Sequence, residues 1–156
     1  MEEFEDDVCV KPSGSPVSQL SVMLQNRAGA LGALVRLLNT NNIEVIGMSM
    51  QDSCDATIAR LILSDPEQAA HLFIERGIPF TTCDIVVVGM LDSSEGMMKC
   101  LDVLNAGETN VDFAYALLSH PNGHSLIALH LEDYEFGLSI LIQAGCKVFY
   151  QEDLSR

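Results

Sequence analysis

The property that most constrains this 156-residue chain is that it repeats itself. Gly29, Leu31, Leu34 and Leu37 recur as Gly96, Met98, Leu101 and Leu104 at an offset of 67 residues. Leu61, Leu63, Leu72 and Gly77 recur as Leu129, Leu131, Ile140 and Gly145 at an offset of 68. Such a spacing is too long for a solenoid repeat and requires two copies of one supersecondary unit, the second with one extra residue in a hairpin. Units of that size lie near the lower limit for an independent core, so each is expected to lean on the other. The 48% apolar content exceeds what the interior of a small monomer needs, and the surplus is expected at interfaces, including that of a homodimer.

A formal net charge of -14 repels phosphate backbones and anionic lipid, and no basic stripe offsets it, so neither nucleic acid nor membrane is an expected partner. The longest apolar run, 85–91, is far shorter than a membrane span, and the N-terminus is acidic where a secretory leader would be basic. A cytoplasmic protein is expected. Cys9, Cys54, Cys83, Cys100 and Cys146 contain no Cys-x-x-Cys pair, which predicts reduced, packed thiols in place of a disulfide framework or a zinc site.

Residues 1–16 join acidic groups to Pro, Ser and Gly and read as a mobile tail. Alternation at Leu20, Val22 and Leu24 predicts a strand over 17–25, and Leu31, Leu34, Val35 and Leu38 mark a helix running to about Thr40. Strands follow over 44–51 and through Ala59, Leu61 and Leu63. Asp65, Pro66 and Gln68 carry the cap, first-position proline and capping-box residues of a helix that Gly77 stops. The second copy has a helix over 94–105, strands over 111–120, 125–132 and 147–151, a helix over 134–144 ended by Gly145, and a Pro121-Asn122-Gly123 hairpin turn. One strand is missing unless 80–90 serves both copies, its first part closing one unit and its second part opening the next. The fold class expected is therefore α+β: two tandem ferredoxin-like βαββαβ units, 17–84 and 85–154, each an antiparallel sheet with both helices on one face. The bare faces and open edges are expected to be hidden by side-by-side pairing or by face-to-face packing.

At the first strand-helix turn, Gln25-Asn26-Arg27-Ala28-Gly29-Ala30-Leu31 resembles the signature of the ACT domain, a ferredoxin-like regulatory module. The stretch 22–50, with Asn41-Asn42-Ile43 ahead of its second strand, is also similar to the regulatory subunit of acetolactate synthase. The resemblance covers 17–154 and implies a small amino-acid effector bound between ACT units, with an amino-acid biosynthetic enzyme as a further partner. The chemistry of the turn agrees. Free N–H groups at a helix start can receive a carboxylate, Gly29 admits close approach, and Asn26 either caps the helix or faces the ligand's ammonium and carboxylate. Arg27 either pairs with an effector's acid group or is simply solvated. A branched or small apolar effector would suit a pocket of Leu24, Ile43, Val45 and Ala30. In the second copy Asp92-Ser93-Ser94-Glu95-Gly96-Met97-Met98 stands at the corresponding turn, where Asp92 and Glu95 oppose a carboxylate. Ser94, Glu95, Gly96 and Met97 thus mark a weaker site, either vacant with Ser94 and Glu95 capping, or suited to another ligand.

No catalytic motif appears, and neither cofactor nor metal is expected. His120, His124 and His130 fall in one hairpin and read as solvated; Asp52 and Asp55 share a turn and read as backbone hydrogen bonders. Met23, Met48, Met50, Met90, Met97 and Met98 read as core fillers.

Overall fold

The structure, a computed structural model, describes residues 14–52 and 56–155. Its elements are β1 (Val17–Leu24), α1 (Ala30–Thr40), β2 (Val45–Asp52), β3 (Thr57–Leu63), α2 (Pro66–Arg76), β4 (Phe80–Met90), α3 (Ser93–Ala106), β5 (Val111–Ala116), β6 (Ser125–Leu131), α4 (Tyr134–Gln143), β7 (Lys147–Phe149) and α5 (Gln151–Leu154). Local chemistry sets several boundaries. The Asp65 carboxylate accepts from the Gln68 N–H at 3.0 Å, Pro66 occupies the first turn, and Gly77 closes α2 at φ 65. Gln68 does not complete the expected capping box; its amide donates to the Asn41 carbonyl at 3.3 Å and ties α2 to the end of α1.

The strand order is β2-β3-β1-β4-β6-β5, with β7 also on β4, and every pairing is antiparallel. Residues Phe80 to Ile85 of β4 pair with β1, while Val86 to Met90 pair with β6 and Val87 to Gly89 with β7. One strand is therefore the edge of the first sheet and an interior strand of the second. The two units are ferredoxin-like halves joined through it. Two cores lie beneath the helices, one around Leu20, Leu38, Leu61 and Phe73, the other around Val88, Leu104, Leu129 and Leu141.

A third core joins the units. Ile46 and Ile62 of the first sheet meet Leu117, Leu126 and Ala128 of the second, with Val17, Ile85, Val87, Phe149 and Leu154. The bare faces thus pack on each other, in addition to sharing a strand. At the sheet ends, Gly47 bridges Leu117 and the Leu118 N–H donates to the Ile46 carbonyl at 2.7 Å. A Cβ on Gly47 would lie 2.9 Å from Leu117 Cγ, so this approach needs glycine.

Polar contacts cross the same interface. The Tyr115 hydroxyl donates to Gln19 Oε1 at 2.6 Å, Gln19 is 1% exposed, and the Arg60 guanidinium lies 3.9 Å above the Phe113 ring. Burial pushes the Tyr115 hydroxyl above its ordinary range. Because the neutral form is favoured in the fold, its stabilisation is complete at neutral pH and falls away once pH passes the unfolded value of about 10. Tyr115→Phe is expected to cost about 1–2 kcal/mol, since the buried Gln19 Oε1 loses its donor, and to flatten the alkaline limb of a stability-versus-pH curve measured by urea unfolding. An unchanged alkaline limb would contradict the assignment.

The coordinates change the internal alignment. Leu20, Val22 and Leu24 face their core as Val86, Val88 and Met90 face theirs, and Leu34 and Leu38 correspond to Cys100 and Leu104. The helices are followed by positive-φ residues Asn42 and Glu108, and the bulges at Val45/Gly47 and Val111/Phe113 coincide. These equivalences lie 66 apart, whereas Leu61 and Leu129, or Gly77 and Gly145, lie 68 apart. The second copy thus has two extra residues between β5 and β6, not one. An offset of 67 would set Leu20 against Val87, on the opposite sheet face.

Smaller differences have local causes. β5 ends at Ala116, where the chain leaves to bridge β2, and Pro121–Gly123 forms a 3-10 turn with Asn122 and Gly123 at positive φ. The last strand stops at Phe149, because Asp153 accepts from the Tyr150 N–H at 2.8 Å and starts α5. Residues 1–13 of the expected tail lie outside the described residues. Ser15, also assigned to that tail, donates its N–H to both Glu152 carboxylate oxygens at 3.1 and 3.0 Å, and its carbonyl accepts from Gln151 at 3.0 Å. The methionines split: Met90 is buried and Met48 packs on the first core, but Met23, Met50, Met97 and Met98 are exposed.

Candidate functional site

The start of α1 differs from the other long helices. α2, α3 and α4 are capped by the carboxylates of Asp65, Asp92 and Asp133, whereas no side chain caps α1. Gly29 holds the N-cap position in the left-handed conformation, φ 85, and a Cβ there would meet nothing within 4 Å. The Ala30 N–H turns back to the Arg27 carbonyl at 3.4 Å, and the helical ladder begins with Ala33 donating to the Gly29 carbonyl at 3.0 Å. Asn26 is therefore not the cap, and residues 25–29 stand exposed around an N-terminus whose dipole and N–H groups favour an anion.

Beside this mouth runs a cleft of about 280 Å³. Arg27 and Ala30 border it at the mouth, Leu24, Leu34 and Leu37 form its apolar wall, and Gly77, Ile78 and Pro79 close it from the α2–β4 connection. Of the residues singled out at the turn, Arg27 and Ala30 line the cleft, while Asn26, Ala28, Gly29 and Leu31 do not. Leu31 packs on the first core, as do Ile43 and Val45, so the expected pocket keeps only Leu24 and Ala30. Every lining residue belongs to the first unit. The mouth thus faces outward and away from the unit-unit interface, which the third core fills.

The second unit carries the equivalent cleft, of about 370 Å³. In the corrected alignment Leu24, Ala30, Ala33, Leu34, Gly77, Ile78 and Pro79 become Met90, Gly96, Lys99, Cys100, Gly145, Cys146 and Lys147, all of which line it. Its helix mouth is different. α3 begins three residues earlier, consuming the loop, and the Asp92 carboxylate accepts from the Ser94 and Glu95 N–H groups at 3.0 and 3.2 Å. Asp92 is therefore the cap, a role expected of Ser94 and Glu95. Gly96 is equivalent to Ala30 and not to Gly29, and a Cβ on it would collide with Met90 Cβ at 2.4 Å. Met97 is 40% exposed on the outside of α3.

In this second cleft the Cys100 and Cys146 sulfurs are 3.7 Å apart. Burial, then the contact with Cys146, pushes the Cys100 thiol up to about 12. Two of the hairpin histidines expected to be solvated are engaged locally: His130 Nδ1 lies 2.9 Å from Asp112 Oδ2 with its ring stacked on Phe113, and His124 sits edge-on to Phe149. Among the described residues no three His, Cys, Asp or Glu side chains gather as metal ligands. Asp55 lies outside the described residues, and Asp52 accepts from the Thr57 hydroxyl at 3.2 Å. No described helix is long and apolar enough to cross a membrane.

A family model for an ACT domain pair matches residues 15–156. No curated protein matches the chain. Among solved structures, one from Bacteroides thetaiotaomicron superposes with a TM-score of 0.82 at 20% identity, covering 90% of this chain and 96% of its own. The ligand-free regulatory subunit of aspartate kinase from Thermus thermophilus superposes at 0.56 with 13% identity, over 85% of this chain and 94% of its own. A structure of aspartokinase alpha and beta subunits gives 0.54 at 18% identity, over 82% and 91%.

Proposed function

Because the chain belongs to the ACT domain-pair family, we propose that it is a non-catalytic regulatory protein that senses an amino acid at the first unit. The effector's carboxylate sits on the uncapped start of α1, at Gly29, Ala30 and Leu31, with Asn26 and Arg27 at the rim. Its apolar side chain enters the cleft beside Leu24, Leu34 and Ile78. The observation that carries this reading is the contrast among four helices: three have a carboxylate on their first-turn amides, and the one that does not opens beside a cleft.

The second mouth, Ser94 to Met97, stays vacant in this reading, because Asp92 already occupies its amides. Units 17–84 and 85–154 are then sensor and structural counterpart. The cleft lacks an outer wall, and Met23, which lines it, is 52% exposed, so a second copy of the chain supplies that wall and makes the sensor a homodimer. Ligand binding shifts this assembly by its differential affinity for the closed cleft.

Isothermal titration against the common amino acids is expected to give saturable binding of an apolar one, with a dimer in sedimentation that tightens when it is added. No heat from any amino acid up to millimolar concentration would overturn the reading. The likeness to aspartate kinase regulatory subunits supports a second reading, a docking subunit that controls an amino-acid biosynthetic enzyme without a ligand. Aspartate kinase and, from the sequence resemblance, acetolactate synthase are the candidates. Association with either purified enzyme in the absence of amino acids separates the two readings.

A further inference from the structure

We propose that Cys100 and Cys146 form a reversible disulfide across the floor of the second cleft, a modification site at which a small-molecule disulfide acts on this protein. The two sulfurs are 3.7 Å apart. They come from segments that only the fold brings together, α3 and the turn between α4 and β7. A disulfide needs about 2.04 Å between sulfurs, so closure asks for a movement of under about 2 Å, within reach of side-chain rotation. Both residues line a cleft open to solvent. Cys100 is buried and Cys146 half-buried, which makes Cys146 the thiol that a reagent meets first.

The repeat supplies an internal control. At the equivalent places the first unit has Leu34 and Ile78, an apolar pair that lines the first cleft and packs on the first core. Packing alone therefore does not call for sulfur at either place, yet the second copy has it at both. Lys99, Lys147, Asp92 and Glu95 surround the pair without net charge, and Lys99 is the one neighbour that eases ionisation of Cys100.

The chemistry balances as thiol–disulfide exchange. The Cys146 thiol loses its proton to water, and its thiolate attacks one sulfur of the small disulfide, forming a mixed disulfide and releasing one small thiolate. Cys100, deprotonated in turn, attacks the Cys146 sulfur and expels the second small thiolate. The protein loses two protons and two electrons, and the small disulfide is reduced to two thiols. The bond joins residues 100 and 146, clamps α3 to the end of α4, and narrows the second cleft. It does not touch the amino-acid site proposed in the first unit.

The test equilibrates the full chain with reduced and oxidised glutathione, traps free thiols by alkylation, and maps peptides by mass spectrometry. A peptide linked through Cys100 and Cys146 is expected, reversed by excess reduced glutathione, together with a melting temperature raised by roughly 5–10 °C in the oxidised form. Cys100→Ala is expected to leave glutathione attached to Cys146, and Cys83→Ala to leave the linkage intact. Absence of the linked peptide at every glutathione ratio, or linkage of Cys100 or Cys146 to another cysteine, overturns the proposal.

Discussion

Gly29→Asp is expected to abolish amino-acid binding while the chain stays folded. The new Cβ enters open space, so the structural cost is confined to placing a side chain at φ 85, about 1 kcal/mol for a residue that tolerates this region. The carboxylate then stands at the N-cap position of α1, beside the first-turn N–H groups that an effector's carboxylate would use. It also repels an incoming carboxylate by about 4 kcal/mol at 4 Å separation and an effective dielectric near 20. The two effects together weaken binding about 100-fold or more. Gly29→Ala carries the backbone cost without the charge and is expected to bind nearly as the parent does. Titration calorimetry paired with thermal unfolding reads both quantities. Equal affinity in Gly29→Asp and the parent would remove the helix mouth from the site.

Phe73→Ala is expected to be the most damaging single truncation in the first core, and its effect should reach the second unit undiminished. Phe73 is fully buried and meets Phe80, the first residue of β4, edge-on with ring centroids 5.6 Å apart. Removing the ring costs about 3–5 kcal/mol through lost burial and the cavity left behind. β4 continues directly into the second sheet, and the third core binds both sheets, so the chain should unfold in a single transition. Urea unfolding followed by circular dichroism checks the cost. Hydrogen exchange of β6 amides checks the reach, because their slowest protection should fall by the same free energy. Two separate transitions, or unchanged protection in β6, would mean that the units unfold independently.

Much of the architecture was legible because hydrophobic spacing reports on local geometry. Leu20, Val22 and Leu24 alternate, Asp65-Pro66 announces α2, Gly77 and Gly145 end helices at positive φ, and the excess length of 80–90 betrayed the shared strand. Residue identities align the repeat one position out of step with its faces: Gly29 resembles Gly96 and Leu37 resembles Leu104, but strand parity requires an offset of 66. Asp92 is a charge that repels a ligand, and followed three residues later by Glu95 it is also the spacing of a helix start. That signal was available and marks the mouth that is closed.

The cleft itself was less visible. Gly77, Ile78 and Pro79 lie far along the chain from Leu24 and Ala30, and only the fold joins them, through the pairing of β1 with β4 and the Met23 N–H donating to the Pro79 carbonyl at 3.1 Å. Ile43 and Val45 lie near the turn in sequence, but the fold turns both into the core. Met97 and Met98 show the converse: α3 buries the face carrying Cys100 and Leu104, so methionines that composition suggested for the interior point outward.

The double duty of β4 also governs what becomes of a broken chain. A cut anywhere in Phe80–Met90 deprives one fragment of its border strand or the other of its central one, leaving rows of amides and carbonyls that can template pairing with neighbours. No cut within β4 leaves both halves with a complete sheet. Fragments severed there are expected to stay soluble only when recombined, and proteolytic nicking in this stretch is expected to lead to aggregation.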